Sequence, residues 1–269
     1  MALVAASIMA KTATDRVLPL EGVHNFRDYG GYAGSDGRLR EGVLWRSAQH
    51  HGASDADLEQ IDALGLGTVV DLRGASERAR SPCRRHPGFA GEVILVEEET
   101  SGFAPHVAAA SGAMSVADVH ARMHATYAAM PYRPQIITLL RGYFAALADR
   151  DGAHLIHCMA GKDRTGLAVA LLHLLLGVHD DDVRADYLLT NSAGRADDRI
   201  EEGMRWVRER YRIPVSDAAA RAVMMVDAAY LDTALAAIEA ESGSRERYMA
   251  GPLSVDAARR DAIAARLIA

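Results

Sequence analysis

The stretch Ala153-His154-Leu155-Ile156-His157-Cys158-Met159-Ala160-Gly161-Lys162-Asp163-Arg164-Thr165-Gly166 runs from a short apolar segment into a glycine-containing loop. Beyond it, the residues to Leu176 are apolar on nearly every side and Gly177 closes the run. A short apolar run before a loop fits a strand buried in a parallel sheet. A segment apolar around its whole circumference fits a helix enclosed by the core, with the glycine as its stop. Strand, loop and buried helix in that order predict an α/β domain with a mostly parallel sheet.

Upstream the same grammar recurs. Val43-Leu44-Trp45-Arg46 has the content of a short strand, and Gly30-Gly31 marks a turn before it. Ser54 with Asp57 forms a capping-box pattern, Leu58, Ile61 and Leu64 follow at helical spacing, and Gly65 stops the helix. Thr68-Val69-Val70-Asp71-Leu72-Arg73 predicts a buried strand whose polar residues fall at its carboxyl end, and Val93–Val96 predicts another. Ser115 with Asp118 opens a helix carrying Val119, Met123 and Tyr127, and a second helix spans about Pro134 to Ala148. Beyond Asp180 the pattern is wholly helical: a charged stretch from Arg195 to Arg212, a break at Pro214, one long amphipathic segment over about 217–240, and a final helix after Ser254. Residues 1–269 are expected to form a single domain.

The loop carries the candidate chemistry. Five residues separate Cys158 from Arg164. That spacing lets one tight loop hold a thiol at its base while backbone N–H groups and a guanidinium point inward, a cradle for a tetrahedral anion. The N-terminal end of the following helix adds positive potential that favours both a bound phosphate and a thiolate. Arg164 can grip two phosphate oxygens at once, which a lysine cannot. Gly161 and Gly166 stand where the backbone must approach closely, and Thr165 supplies a hydroxyl. An arbitrary Cys…Arg pair is more often a buried thiol and a helix-end charge; the surrounding strand, glycines and helix favour function here.

Composition narrows the rest. The chain has 269 residues, 49% hydrophobic and 25% charged, with a formal net charge of −6. That balance argues against a general nucleic-acid binder, so an anionic substrate must meet a local positive site. Two cysteines, Cys83 and Cys158, give no disulfide framework and fit a reducing compartment. The opening Met1–Ala10 stretch is a poor secretory signal because no basic residue precedes its apolar part. No apolar run approaches the roughly 18 residues of a membrane span. A cytoplasmic protein without stable membrane insertion is expected, with export by a non-classical route as the alternative.

These motifs resemble those of the cysteine-dependent protein tyrosine phosphatases, and most closely their atypical bacterial, PtpB-like branch. The likeness extends through Asn25-Phe26-Arg27-Asp28-Tyr29-Gly30-Gly31, Leu44-Trp45-Arg46-Ser47, Val69–Arg73, Glu77, Asp186–Asn191 and Tyr230-Leu231, which covers most of the chain. It implies a three-layer fold with a central, mostly parallel sheet flanked by helices, and a helical lid at about 195–240. It also implies that Cys158 is the nucleophile forming a phosphocysteine, that Arg164 binds phosphate, and that Thr165 assists departure of the thiolate. Met159, Ala160, Gly161, Lys162 and Gly166 would line the phosphate site. No metal and no cofactor are implied. The expected substrate is a phosphorylated protein, with a phosphoinositide as the alternative.

Two carboxylates compete for the role of general acid: Asp163 inside the loop, and Asp71 at a strand's carboxyl end, where ligand sites of parallel sheets gather. For Asp71 the bland alternative is pairing with Arg73; for Asp163 it is orienting Arg164. Lys162 is expected near the site mouth, adding charge for multiply phosphorylated groups. The arginines from Arg195 to Arg212 read first as a solvated helix face with intrahelical pairs. Cys83 reads as an inert thiol, with a protective disulfide to oxidised Cys158 as the alternative. The competing functional class is a phosphate-recognising pseudophosphatase that binds without turnover.

Overall fold

A computed structural model describes residues 14–100, 115–211 and 216–269, with side chains described outside 14 and 206–215. The Met1–Ala10 stretch and the Pro214 break lie outside the described residues. Five strands form one sheet: β1 (Arg27–Asp28), β2 (Leu44–Ser47), β3 (Leu66–Asp71), β4 (Glu92–Ile94) and β5 (Ala153–His157). Their order is β1-β2-β5-β3-β4, parallel throughout except for the antiparallel β1–β2 pair. The register sets Ser47 and Asp71 on either side of His157, so the carboxyl ends of β2, β5 and β3 finish level beside the loop.

Alternation along these strands feeds two cores. Val70, Leu72, Ile156 and Cys158 face the larger one, built with α3 (Val116–Ala129), α4 (Pro134–Asp149) and α5 (Asp163–Leu175). Val69, Leu155 and Trp45 face the smaller one, closed by Leu58 and Ile61 of α1 (Asp55–Asp62). Helix α5 is buried along nearly its whole length, as its all-round apolar sequence requires. The capping boxes at Ser54–Asp57 and Ser115–Asp118 both form.

Several short elements were not legible: strand β1, helix α2 (Ala75–Arg80) and, after α6 (Asp180–Leu188), α7 (Ala196–Tyr211), α8 (Asp217–Met224) and α9 (Ala228–Ser242), helix α10 (Arg245–Ala250) before α11 (Ala257–Leu267). The single helix expected over 217–240 is two. Met225 is extended, Asp227 caps α9 by accepting from the Ala229 N–H, and Val226 is gripped on both sides by Asn191. The Asn191 amide accepts from the Val226 N–H and donates to its carbonyl, both at 2.8 Å, replacing the helical bonds that the break removes.

One charge cluster ties the early chain to the helical region. Arg27 and Arg46 are fully buried beside Asp186 of α6, with Arg46 Nη1 at 2.7 Å from its carboxylate. Burial and the neighbouring Arg46 pull the Arg27 guanidinium down to about 9, while Asp186 opposes both. Asp186→Ala leaves two adjacent buried guanidinium groups unmatched, and we expect it to cost about 3–5 kcal/mol in chemical denaturation. A loss below about 1 kcal/mol, the scale of an exposed ion pair, would mean that this cluster does not hold the fold.

Candidate active site

The loop from Cys158 to Lys162 joins β5 to α5, and its shape is dictated from below. Gly161 has a φ of 63°, and a Cβ there would lie 2.3 Å from the Ser47 carbonyl oxygen. Only glycine fits. Its own carbonyl accepts from Asn25 Nδ2 at 2.8 Å and Arg46 Nη2 at 3.1 Å. Gly166 in the first turns of α5 leaves room for the Tyr187 ring, 2.7 Å from where a Cβ would stand. Thus the loop's carbonyl is tied outward to Asn25 and Arg46. Among the described residues the amides of Met159, Ala160, Gly161 and Lys162 donate no hydrogen bond to the protein, and Lys162 gives α5 no side-chain cap. Unsatisfied N–H groups at a helix N-terminus are an anion site.

Cys158 is buried at the base of this loop. Thr165, also buried, has a hydroxyl without a hydrogen-bond partner among the described residues. Arg164 is clamped: Nη1 and Nη2 donate to the two Glu77 oxygens at 2.5 and 2.8 Å, and Nη1 also reaches the Leu72 carbonyl and Thr100 Oγ1. Burial alone would lower the Arg164 pKa, but the Glu77 bonds and charge outweigh it and hold the guanidinium protonated. Burial likewise pushes Glu77 up, and Arg164 brings it below the ordinary carboxylate range. The Nε edge of Arg164 makes no hydrogen bond with the described residues, which leaves a donor face for an anion.

The candidate acids have different surroundings. Asp71 is 1% exposed and spent on Arg73, whose Nε and Nη2 donate to its oxygens at 2.9 and 2.8 Å. Burial pushes its pKa up, but His157 and Arg73 bring it down to about 2. Asp71 thus takes the pairing role with Arg73 that was the alternative to general acid. Asp163 keeps 28% of its side chain exposed. It accepts from the Tyr127 hydroxyl at 2.6 Å, and Tyr187 O–H lies 2.6 Å behind Tyr127. Burial first, and then the Asp163 charge, push both phenols well above their ordinary value, so they remain donors. Asp163 does not orient Arg164; Glu77 does.

Lys162 is the second correction. Its ammonium is buried and donates to the carbonyls of Val223 at 2.6 Å and Met225 at 3.2 Å, with Asp163 3.4 Å away. The break between α8 and α9 frees those carbonyls, and they occupy the lysine's ammonium. Arg199 departs from the solvated-face reading in the same way: it is buried and donates to the Met224 and Thr190 carbonyls. Arg195, just before α7, pairs with Asp198 in its first turn, whereas Glu202 meets His24.

Cys83 sits beside His157 on the smaller-core side of the sheet, while Cys158 packs into the larger core; both thiols are free. Ligand atoms of Asp71, Cys83 and His157 lie within 4.8 Å of one another. Arg73 already supplies a cation there, 2.8 Å from Asp71 and 3.1 Å from Cys83.

The family model described as the tyrosine phosphatase family matches residues 18–269. The chain belongs to the tyrosine phosphatase family. It is 33% identical over 247 residues to a Cupriavidus necator protein named provisionally as a tyrosine-protein phosphatase, covering 90% of this chain and 85% of that one. It is 32% identical over 197 residues to the triple specificity protein phosphatase PtpB of Mycobacterium tuberculosis, covering 66% and 70%. A tyrosine-protein phosphatase of Nostoc commune is 31% identical over 148 residues, 54% of this chain and 47% of the relative. The protein is thus a phosphatase with an α/β fold, and no helix among the described residues is long and apolar enough to cross a membrane.

Glu77, Tyr127, Asn25 and Arg46 are the site residues that chemistry alone did not single out. Glu77 had a local signal: it stands three residues after Gly74 and accepts from the Gly74 N–H at 3.0 Å, the acidic half of a capping box. Tyr127 read as an apolar-stripe residue. Asp71→Asn is expected to keep phosphatase turnover within about tenfold while lowering stability. The lowered pKa contributes stability that is complete above the ordinary value of 3.8 and lost as pH falls toward about 2. The wild type should therefore lose on the order of 2 kcal/mol across that window that the variant does not, measured by denaturation against pH.

Proposed function

We propose that this phosphatase hydrolyses phosphate monoesters through a phosphocysteine intermediate, with phosphotyrosine in proteins as the primary substrate. The observation that carries the reading is the clamped Arg164 beside a buried Cys158, with unpaired loop amides between them. The phosphoryl group sits on the loop amides and the free Nε edge of Arg164. The Cys158 thiolate attacks phosphorus, the P–O bond to the alcohol breaks, and Asp163 gives its proton to the leaving oxygen. Water then attacks the phosphocysteine, Asp163 takes its proton, and the sulfur leaves as thiolate with Thr165 Oγ1 donating to it. Arg164 stabilises the charge spread over the equatorial oxygens in both steps. The scheme uses no metal.

The named breadth of PtpB supports extending the reading to phosphoserine, phosphothreonine and phosphoinositides. For a multiply phosphorylated head group, Lys162 would have to exchange the Val223 and Met225 carbonyls for phosphate oxygens. We also assign the lid role to the 195–240 region, with α7 and α8 held over the loop by Lys162 and Arg199.

Hydrolysis of a small aryl phosphate with chelator present tests the mechanism. Cys158→Ser should lose activity to background, and Arg164→Lys should fall by about 10²–10³ in kcat. Asp163→Asn should lose more on poor leaving groups than on activated ones. Chelator-sensitive turnover, or an active Cys158→Ser, contradicts the scheme; tight phosphate binding without wild-type turnover supports the pseudophosphatase instead.

A further inference from the structure

A cavity of about 580 Å³ opens on the smaller-core face of the sheet, between α1 and the 82–91 segment. None of Cys158, Asp163 or Arg164 lines it. Its floor is aliphatic: Leu58, Ile61, Leu66, Val69 and Leu155. Its inner end is different, with Cys83, His50 and His157 meeting there. The His50 and His157 rings stack at 5.3 Å, and His157 immediately precedes the nucleophile.

Among the arginines lining the cavity, one lacks a carboxylate partner. Arg84 pairs with Asp55 and Arg150 with Glu92. Arg85 makes no ion pair among the described residues; its guanidinium stands 6.0 Å from the centre of the Phe89 ring. Arg85 lines the same cavity as His50, Cys83 and His157. A mostly apolar cavity with one convergent unmatched cation has the form of a small-molecule site.

We propose that this cavity binds an amphiphilic monoanion, an alkyl carboxylate whose chain lies along the aliphatic floor and whose head group meets Arg85. The chain supplies affinity by burial and the single carboxylate answers the single unmatched cation. A dianion would leave one charge unpaired, and a neutral chain would leave Arg85 unanswered. The site is separate from the phosphate cradle and borders it through His157, which precedes Cys158, and through His50, which is hydrogen-bonded to Ser47 at 2.9 Å.

Cys83 is the reporter, because in Cys158→Ser it is the chain's remaining thiol. The rate at which N-ethylmaleimide alkylates Cys83 in Cys158→Ser is followed by mass spectrometry while decanoate is titrated. Decanoate should slow alkylation saturably, by about tenfold or more when bound, and Arg85→Ala should raise the half-saturating concentration by about tenfold, the loss of one charge-assisted contact. Ala90→Trp, which fills the cavity from its exposed rim, should abolish the decanoate effect while leaving the fold's circular dichroism unchanged. Decanol should protect far less. Absent or non-saturable protection, equal protection by decanol, or protection unchanged in Arg85→Ala would each overturn the proposal. Because the variant is inert under the proposed phosphatase chemistry, the result does not depend on that chemistry.

Discussion

A guanidinium cannot be buried beneath an anion-binding loop without a carboxylate to match it, and this constraint organises the carboxyl end of the sheet. Removing an arginine from water is costly, and because a guanidinium keeps its charge when buried it must be met by a carboxylate or by carbonyl acceptors. Arg27 and Arg46 share Asp186, Arg73 takes Asp71, and Arg164 takes Glu77. Each pair comes from a different stretch of chain or crosses a strand end. The loop can form only when β1, β2, β3, α2 and α6 have all delivered their partners. Arg46 then holds the Gly161 carbonyl, and Glu77 aims Arg164, so the cradle is set before any substrate arrives. Such preorganisation is what makes electrostatic stabilisation effective in a reaction with spreading charge. It also answers how a chain of net charge −6 holds a local cationic site.

The loop, its strand and its helix were legible because they follow from local rules: an apolar strand, glycines at close approaches, an all-round apolar helix. The capping boxes at Ser54 and Ser115 were equally local. What escaped was set by long-range pairing. Asn191 holds the break in the 217–240 segment at Val226, 35 residues away, and the one local sign of it is Asp227, which caps α9. Lys162 and Arg199 looked like solvated or substrate-facing charges because their acceptors are backbone carbonyls distant in sequence, those of Val223, Met224 and Met225 at that break and that of Thr190. Asp71 and Asp163 were indistinguishable as acids until Arg73 was seen on one and Tyr127 on the other. A carboxylate's role depends on its neighbours more than on its position along a strand.

The helical region is therefore coupled to the loop by specific contacts. Lys162 spans from the loop to the Val223 and Met225 carbonyls at the end of α8, Arg199 joins α7 to the neighbouring Met224 carbonyl, and Tyr127 and Tyr187 of α3 and α6 back Asp163. A displacement of α8 would change the environment of Lys162 directly, and Lys162 stands 3.4 Å from the Asp163 carboxylate. The end of α8 and the Asp163 carboxylate are thus linked through one side chain.

The central claim is that Cys158, held on a loop whose Arg164 is fixed by Glu77, becomes covalently phosphorylated during turnover. Rapid acid quench of the Asp163→Asn variant during hydrolysis of an activated aryl phosphate, followed by mass spectrometry of the Cys158 peptide, tests it most directly. The account predicts a peptide heavier by one phosphoryl group on Cys158, accumulating because water attack lacks its base. Product release in this variant with no phosphoryl group on Cys158 at any quench time would contradict it.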